Sequence, residues 1–280
     1  MDGSIQHSQH VLKGSPDTVT IVVVCYNENP ERISYTFESI INQDYPHKEL
    51  IVIDGGSKSN TLEAILSYKY SLASFVSEPD TGIYDAMNKG LQIANGEWVT
   101  FMNIGDRFHS AGVITAMLQE QKLRGDLDLL YGDAILTNNS TIVRHEHVPK
   151  KLSRWFLYRG TICHQAMLMR KKAFEKIGLF DTSYKVLSDK DWLFRFLGNG
   201  LLARHCNLVV CEWDLKGLTS FVTLFNEEWN KVVRNRFSKV EQLLYGLLWF
   251  FLKIGKRFRT LNFSIPYGLR RPEKLLLIKK

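Results

Sequence analysis

Apolar positions recur in two rhythms along the first part of the chain. Val19 to Cys25 is a continuous β-branched run, suited to a parallel strand covered on both faces. Ile33, Phe37, Ile40 and Ile41 follow at helical spacing. They stand behind Pro30, whose missing N–H costs nothing in a first helical turn. Glu49 to Ile53 predicts a second strand, ending in Asp54-Gly55-Gly56-Ser57. A helix is expected from about Thr61, with Asn60 as its cap and Glu63 three residues on. Ser74 to Val76 predicts a third, short strand. Ile83, Met87, Leu91 and Ala94 mark the apolar face of the next helix. Asn95-Gly96 is its expected stop, with the glycine left-handed. Trp98 to Met102 then predicts a strand that breaks into Asn103-Ile104-Gly105-Asp106.

Strand and helix alternate through four units here, which predicts an α/β fold with a parallel sheet and helices on both faces. Right-handed crossovers place all the strand-end loops on one edge. The Tyr26, Asp54, Asp80 and Asp106 loops therefore meet where open α/β sheets bind ligands. Beyond Asp106 the rhythm changes. Ala111 to Leu123 predicts a helix, and Leu129 to Leu136 and Thr141 to Val148 predict strands joined by Thr137-Asn138-Asn139-Ser140. Residues 150–162 are basic and aromatic, with Trp155, Phe156 and Tyr158. Cys163 to Met169 reads as a strand entering a helix that stops at Gly178, and Ser188 opens another helix. From Thr219 the pattern is helical. Leu243 to Leu252 is nearly all apolar and is followed by Lys253, Lys256, Arg257 and Arg259.

The division that follows is a mobile polar tail over 1–17, a main domain over 18–218 and a helical, basic extension over 219–280. A net charge of +7 suits polyphosphate ligands, anionic membrane surfaces or nucleic acid. No helix-turn-helix, zinc or RNA-recognition pattern supports nucleic acid as a partner. The four cysteines are scattered without metal-ligand spacing, and Cys25 reads as a buried thiol. The polar N-terminus has no signal-peptide core, and Leu243 to Leu252 is too short to span a bilayer. Cytoplasmic residence is expected, with the inner face of the plasma membrane as a place of contact. Leu243 to Leu252 has two readings: a helix lying on an anionic bilayer, or a core helix capping the domain. Periodicity leaves both open.

Glu78, Asp80, Gly82, Ile83, Tyr84, Asp85, Ala86, Met87, Asn88, Lys89 and Gly90 match an E-x-D-x-G-I-Y-D-A-M-N-K-G segment position for position. This stretch, with the acidic loop after the next strand, resembles the inverting family 2 glycosyltransferases of GT-A fold. More narrowly, it is similar to those that build bacterial exopolysaccharide, such as the colanic acid type. The resemblance implies an enzyme that moves a sugar from a nucleotide-sugar donor to a growing, lipid-linked glycan. It implies Asp106 as ligand of a divalent cation, Mn2+ or Mg2+. It implies Asp54 and Asp80 at the base and ribose, with Tyr26, Asn27, Glu28, Asn88, Lys89 and Asn103 also on the nucleotide-sugar side. Asp189 would be the general base, and His164, Gln165, Asp191 and Arg195 would lie near the diphosphate or acceptor.

The chain departs from the family in two places. Asn103-Ile104-Gly105-Asp106 carries one aspartate where two or more are usual. The D-G-S-x-D-G-T pattern here reads Asp54-Gly55-Gly56-Ser57-Lys58-Ser59-Asn60-Thr61. The first departure motivates the alternative of a non-catalytic nucleotide-sugar or glycan binding relative. Each residue also has a plainer role open to it. Asp106 also reads as a cap for a helix from Ser110, Asp54 and Asp80 as Asx turns, and Asp189 as a first-turn acid favoured by the helix dipole.

Overall fold

A computed structural model describes residues 17–215 and 222–258. The first half runs β1 (Val19–Cys25), α1 (Pro30–Ile41), β2 (Lys48–Asp54), α2 (Ser59–Leu66), β3 (Ser74–Ser77), α3 (Ile83–Ile93) and β4 (Trp98–Asn103). The second runs β5 (Arg107–Phe108), α4 (Val113–Arg124), β6 (Leu129–Asn138), β7 (Thr141–Glu146), α5 (Arg154–Arg159), β8 (Met167–Arg170), α6 (Lys171–Ile177), α7 (Ser188–Gly198) and β9 (Ala203–Asp214). Two helices follow, α8 (Val222–Arg236) and α9 (Lys239–Phe258). The flexible-tail expectation for 1–17, the expected boundary at 218/219 and the basic residues from Arg259 onward lie almost wholly outside the described residues.

One sheet holds the molecule together, in the order β3-β2-β1-β4-β8-β6-β9-β5, with β7 paired to β6. The strands from β3 to β4 are parallel, as the alternation predicts. β8 inserts antiparallel between β4 and β6, and β9 returns parallel to β6. Every residue of β1 is buried, which is why its sequence is continuously apolar. Cys25, Cys206 and Cys211 are buried free thiols.

The expected helix stops hold in position, but one has a different cause. α3 ends at Ala94 in extended conformation, and Gly96 is not left-handed. A Cβ on Gly96 would sit 2.7 Å from Thr18 O and Thr20 Oγ1, so close approach to β1 requires the glycine. Buried Glu49 of β2 closes this turn, accepting from Thr20 Oγ1 at 2.5 Å and Asn95 N at 2.6 Å. Gly178 is left-handed at φ 87° after α6, as expected. The expected Asn60 cap is not found. α2 begins at Ser59 behind Lys58, which makes no side-chain cap, and Asn60 Oδ1 accepts only from its neighbour Thr61 N. The stretch from Cys163 is a 3-10 turn (His164–Ala166) before the short strand β8, not one strand.

α8 packs against α7, with Val232 fully buried and Phe237 just beyond its end nearly so. α9 touches the body through Glu241, which pairs with Arg154 at 3.1 Å, and Tyr245, which packs on Trp155 and Tyr158. Its Val240, Leu243, Leu244, Leu247, Leu248 and Phe251 are all exposed. The core-helix reading therefore fails for this stripe, which faces outward.

Candidate active site

The loops after β1, β2, β3 and β4 converge as the parallel topology requires. Asp54 ends β2 fully buried. Its Oδ2 accepts from Gly56 N at 3.1 Å, Ser57 N at 2.9 Å and Ser77 Oγ at 2.7 Å, an Asx turn tied to β3. Its Oδ1 is buried with no partner among the described residues. A Cβ on Gly55 would stand 2.5 Å from Asp80 Oδ2 and 3.2 Å from a Tyr26 ring carbon, so this glycine lets three loops approach. Asp80 Oδ1 accepts from Gly82 N at 2.8 Å, which leaves Oδ2 facing that junction. The Tyr26 ring is exposed and offers an aromatic face. Asn27 is left-handed at φ 51°, held by Ser57 Oγ and Lys58 N. With Glu28, Asn29, Lys58, Asn60 and Thr61 it lines an open bowl of about 350 Å3.

At the end of β4, Asn103 O accepts from Asp106 N across a tight turn in which Gly105 is left-handed at φ 96°. Any Cβ at Gly105 would overlap the Arg32 guanidinium. Arg32 lashes this turn to its surroundings, donating to Ile104 O, Asp214 Oδ2 and Glu28 Oε2. Asp106 Oδ1 accepts from Asp214 N at 2.9 Å, and Oδ2 accepts from Gln165 Nε2. Asp106 does not cap a helix, since α4 begins only at Val113 behind Gly112. Burial pushes its pKa up to about 6, against hydrogen bonds that pull it down. Each oxygen accepts one bond and keeps a lone pair, and the buried charge lacks a full counterpart. Such a carboxylate fits a divalent cation. Among the described residues no three His, Cys, Asp or Glu side chains gather as a metal cluster, so most ligands would come from phosphate and water.

The second half supplies the facing group. Asp189 lies in the first turn of α7, and its Oδ1 accepts from Tyr84 Oη at 3.1 Å and Lys190 N at 2.7 Å. His164 Nδ1 stands 3.5 Å from Asp189 Oδ2, and its Nε2 stands 3.4 Å from Asn103 Oδ1. Thus two consecutive residues of the 3-10 turn bridge the candidate sites: His164 meets Asp189, and Gln165 meets Asp106.

A model described as Glycosyl transferase family 2 matches residues 20–178. The chain belongs to glycosyltransferase family 2. It is a nucleotide-sugar-dependent glycosyltransferase of α/β, GT-A architecture. A PGL/p-HBAD biosynthesis glycosyltransferase of Mycobacterium bovis is 29% identical over 207 residues, covering 69% of this chain and 75% of the relative. The poly-beta-1,6-N-acetyl-D-glucosamine synthase of Staphylococcus epidermidis is 27% identical over 59% of this chain and 42% of its own. Among solved structures, mannosyltransferase PcManGT from Pyrobaculum calidifontis, in complex with GDP-Man and Mn2+, has a TM-score of 0.61 at 18% identity, covering 80% of this chain and 67% of that one. S. aureus TarS 1-349 in complex with UDP-GlcNAc has a TM-score of 0.60 at 16% identity, covering 79% and 68%. At these identities the structural likeness shows the fold alone.

Several residues of this transferase expected on the nucleotide or acceptor side are engaged elsewhere. Asn88 is buried and clamps Phe180, donating to its O at 2.8 Å and accepting from its N at 3.1 Å. Lys89 pairs with Glu78 at 2.7 Å and donates to Pro79 O, which anchors the Asp80 loop on α3. Asp191 is fully buried between Arg195 and Arg236. Arg195 also donates to Ile177 O, Gly178 O and Leu179 O, closing the end of α6. Each of these four is engaged by protein partners. Sequence reasoning assigned no role to Arg32, Tyr84 or Asp214. The Glu28–Arg32 spacing of four was a usable signal. Asp214 ends a strand, β9, that the pattern did not reveal.

Proposed function

We propose that this glycosyltransferase inverts the donor sugar's configuration and uses a divalent cation, Mg2+ or Mn2+, held at Asp106. The observation that supports the reading is the His164-Gln165 turn, whose two adjacent side chains meet Asp189 and Asp106. Asp54, Asp80 and Tyr26 hold the nucleoside, with the free Asp54 Oδ1 and Asp80 Oδ2 accepting from base N–H or ribose hydroxyl groups. The cation, when bound, neutralises charge on the departing diphosphate. Asp189 removes the proton of the acceptor hydroxyl as that oxygen bonds to the anomeric carbon. The bond to the diphosphate oxygen breaks on the opposite face and the diphosphate keeps the electron pair, so configuration inverts.

The acceptor is a growing, lipid-linked glycan of a surface polysaccharide. Relatives named for PGL/p-HBAD biosynthesis and for a polysaccharide synthase support that class. The apolar outward stripe of α9 supports work at the inner face of an anionic membrane. A nucleotide-release screen of several nucleotide sugars against lipid-linked acceptors tests the reading, with anomeric analysis of the product. Chelation and Asp106→Asn are each expected to abolish most turnover. Full activity under chelation rejects the cation, and a retained configuration rejects the mechanism.

A further inference from the structure

The sequence pattern assigns the last helices to an extension, yet α8 reaches the heart of the site. α7 carries Asp189 but has no side-chain cap of its own, because its N-cap position is Leu187. Within α7 the Lys190 amide turns to Asp189 Oδ1, and the amides that lead into the helix find their partner on α8. Glu228 is buried, and its carboxylate accepts from three successive backbone amides: Lys185 N, Val186 N at 2.9 Å and Leu187 N at 3.0 Å. A charged acceptor makes each of these bonds stronger than a neutral one would.

The amides it holds belong to a segment that touches both sides of the site. Val186 O accepts from Tyr84 Oη at 2.8 Å, the same hydroxyl that reaches Asp189 Oδ1. Lys185 Nζ donates to Thr81 O in the Asp80 loop. α8 grips the same turn twice more. The Trp229 ring lies 4.0 Å from Lys190 Nζ, and Arg236 donates to both oxygens of Asp191 at 2.6 and 2.9 Å. Residues 185–187, 190 and 191 are all held from α8, and Asp189 lies between them.

We infer that Glu228 is a positioning residue for the reaction. It holds the segment leading into α7 from another helix and so sets the orientation of Asp189 and Tyr84 toward the acceptor. This rests on the assignment of Asp189 as general base. A misplacement of about 1 Å at a reacting group costs up to about 10²-fold in rate.

The test uses the full chain with the donor and acceptor found by the release screen. Glu228→Gln keeps the shape but turns an amide NH2 toward the three N–H groups; Glu228→Asp keeps the charge on a shorter arm. In both, kcat is expected to fall, by tenfold or more in Glu228→Gln, with donor KM within about twofold. Amide exchange should quicken over 185–190 and not across the sheet. In an Asp189→Asn background, Glu228→Gln should add little, because the two act through one group. Unchanged kcat in Glu228→Gln, additive losses in the double variant, or exchange that quickens throughout the chain would each overturn the inference. Asp189→Asn as active as the parent would overturn the base assignment instead, which the exchange measurement does not depend on.

Discussion

Asp189 and Lys190 are chain neighbours placed in opposite situations. Asp189 accepts two hydrogen bonds beside His164, whereas Lys190 is buried with the Trp229 ring below it and Asp189 as its nearest compensating charge. Burial lowers the Lys190 pKa from 10.5 to about 7, against the pull of Asp189. Below about pH 7 both folded and unfolded chains carry this proton, and the folded state bears the full cost of the buried charge. Between pH 7 and 10.5 the unfolded chain binds more protons, so stability from this site rises with pH. Relative to Lys190→Met, the parent should gain up to about 2–3 kcal/mol between pH 7 and 9 in denaturant titrations. A flat difference would show that water reaches the ammonium. Asp189→Asn keeps shape and removes basicity. It should slow single-turnover transfer by about 10²–10⁴-fold while calorimetric affinity for the donor's nucleoside diphosphate stays within a few-fold. Equal loss of both would make Asp189 structural. The positions of Asp54, Asp80 and Asp106 were legible in the sequence because strand ends and a long ungapped motif announce them, whereas Asp189 came only through the family resemblance. The contacts of Asn88, Asp191 and Arg195 with Phe180, Arg236 and the end of α6 were not legible, because no local pattern encodes them.

Elements were legible wherever one period persisted. β1, β2, β4 and the helices between them follow from runs of apolar residues at spacings of one or of three and four. β9 was not legible, since its pattern of buried and exposed residues shifts where its pairing with β6 is irregular. Close packing between elements is also silent in the pattern. Gly90 of α3 sits over β1, and a Cβ there would lie 2.3 Å from Val22 Cγ1 and 3.3 Å from Ile53 Cγ1. Gly90→Ala should therefore destabilise by about 1–3 kcal/mol through overpacking, despite alanine's higher helix propensity. Thermal unfolding checks this, and an unchanged or raised Tm would mean the strand yields. α9 makes the opposite case, a legible stripe with no covering element. Val240, Leu243, Leu244, Leu247, Leu248 and Phe251 share its outward face, and Lys253, Lys256 and Arg257 follow in sequence. No helix among the described residues is long and apolar enough to cross a membrane. The full chain should sediment with vesicles containing phosphatidylglycerol, more at low salt than at high, and Leu244→Glu with Leu247→Glu should abolish it. Failure of the parent to bind, with dimerisation lost in the same variant, would assign the face to a second copy.

At the scale of the whole molecule, the question is where the catalytic unit ends. The sequence places a boundary near residue 218, after which the pattern is helical and basic. The contacts put α8 on the catalytic side of any such boundary. Val232 is fully buried, Phe237 packs edge-to-face on Phe194 with centroids 4.9 Å apart, and Arg236 neutralises an Asp191 that has no exposure at all. Ending the chain at Leu218 would uncover that apolar face and leave Asp191 with Arg195 as its remaining ion pair; breaking a buried pair costs about 3–5 kcal/mol. It would also remove Glu228 from the amides that precede α7. Ending the chain at Gly246 keeps α8, Phe237, Glu241 and Tyr245 and removes Leu247, Leu248, Phe250, Phe251 and the cationic residues beyond. The shorter chain is expected to be insoluble or to lack a cooperative thermal transition. The longer one should unfold within a few degrees of the parent, since Leu247, Leu248, Phe250 and Phe251 are exposed and Trp249 between them is only half-buried. It should bind nucleoside diphosphate as the parent does and lose vesicle binding. A cooperative transition near the parent's Tm in the chain ending at Leu218 would restore the boundary the sequence suggests. Loss of folding in the chain ending at Gly246 would make the outer half of α9 part of the body rather than a surface it presents.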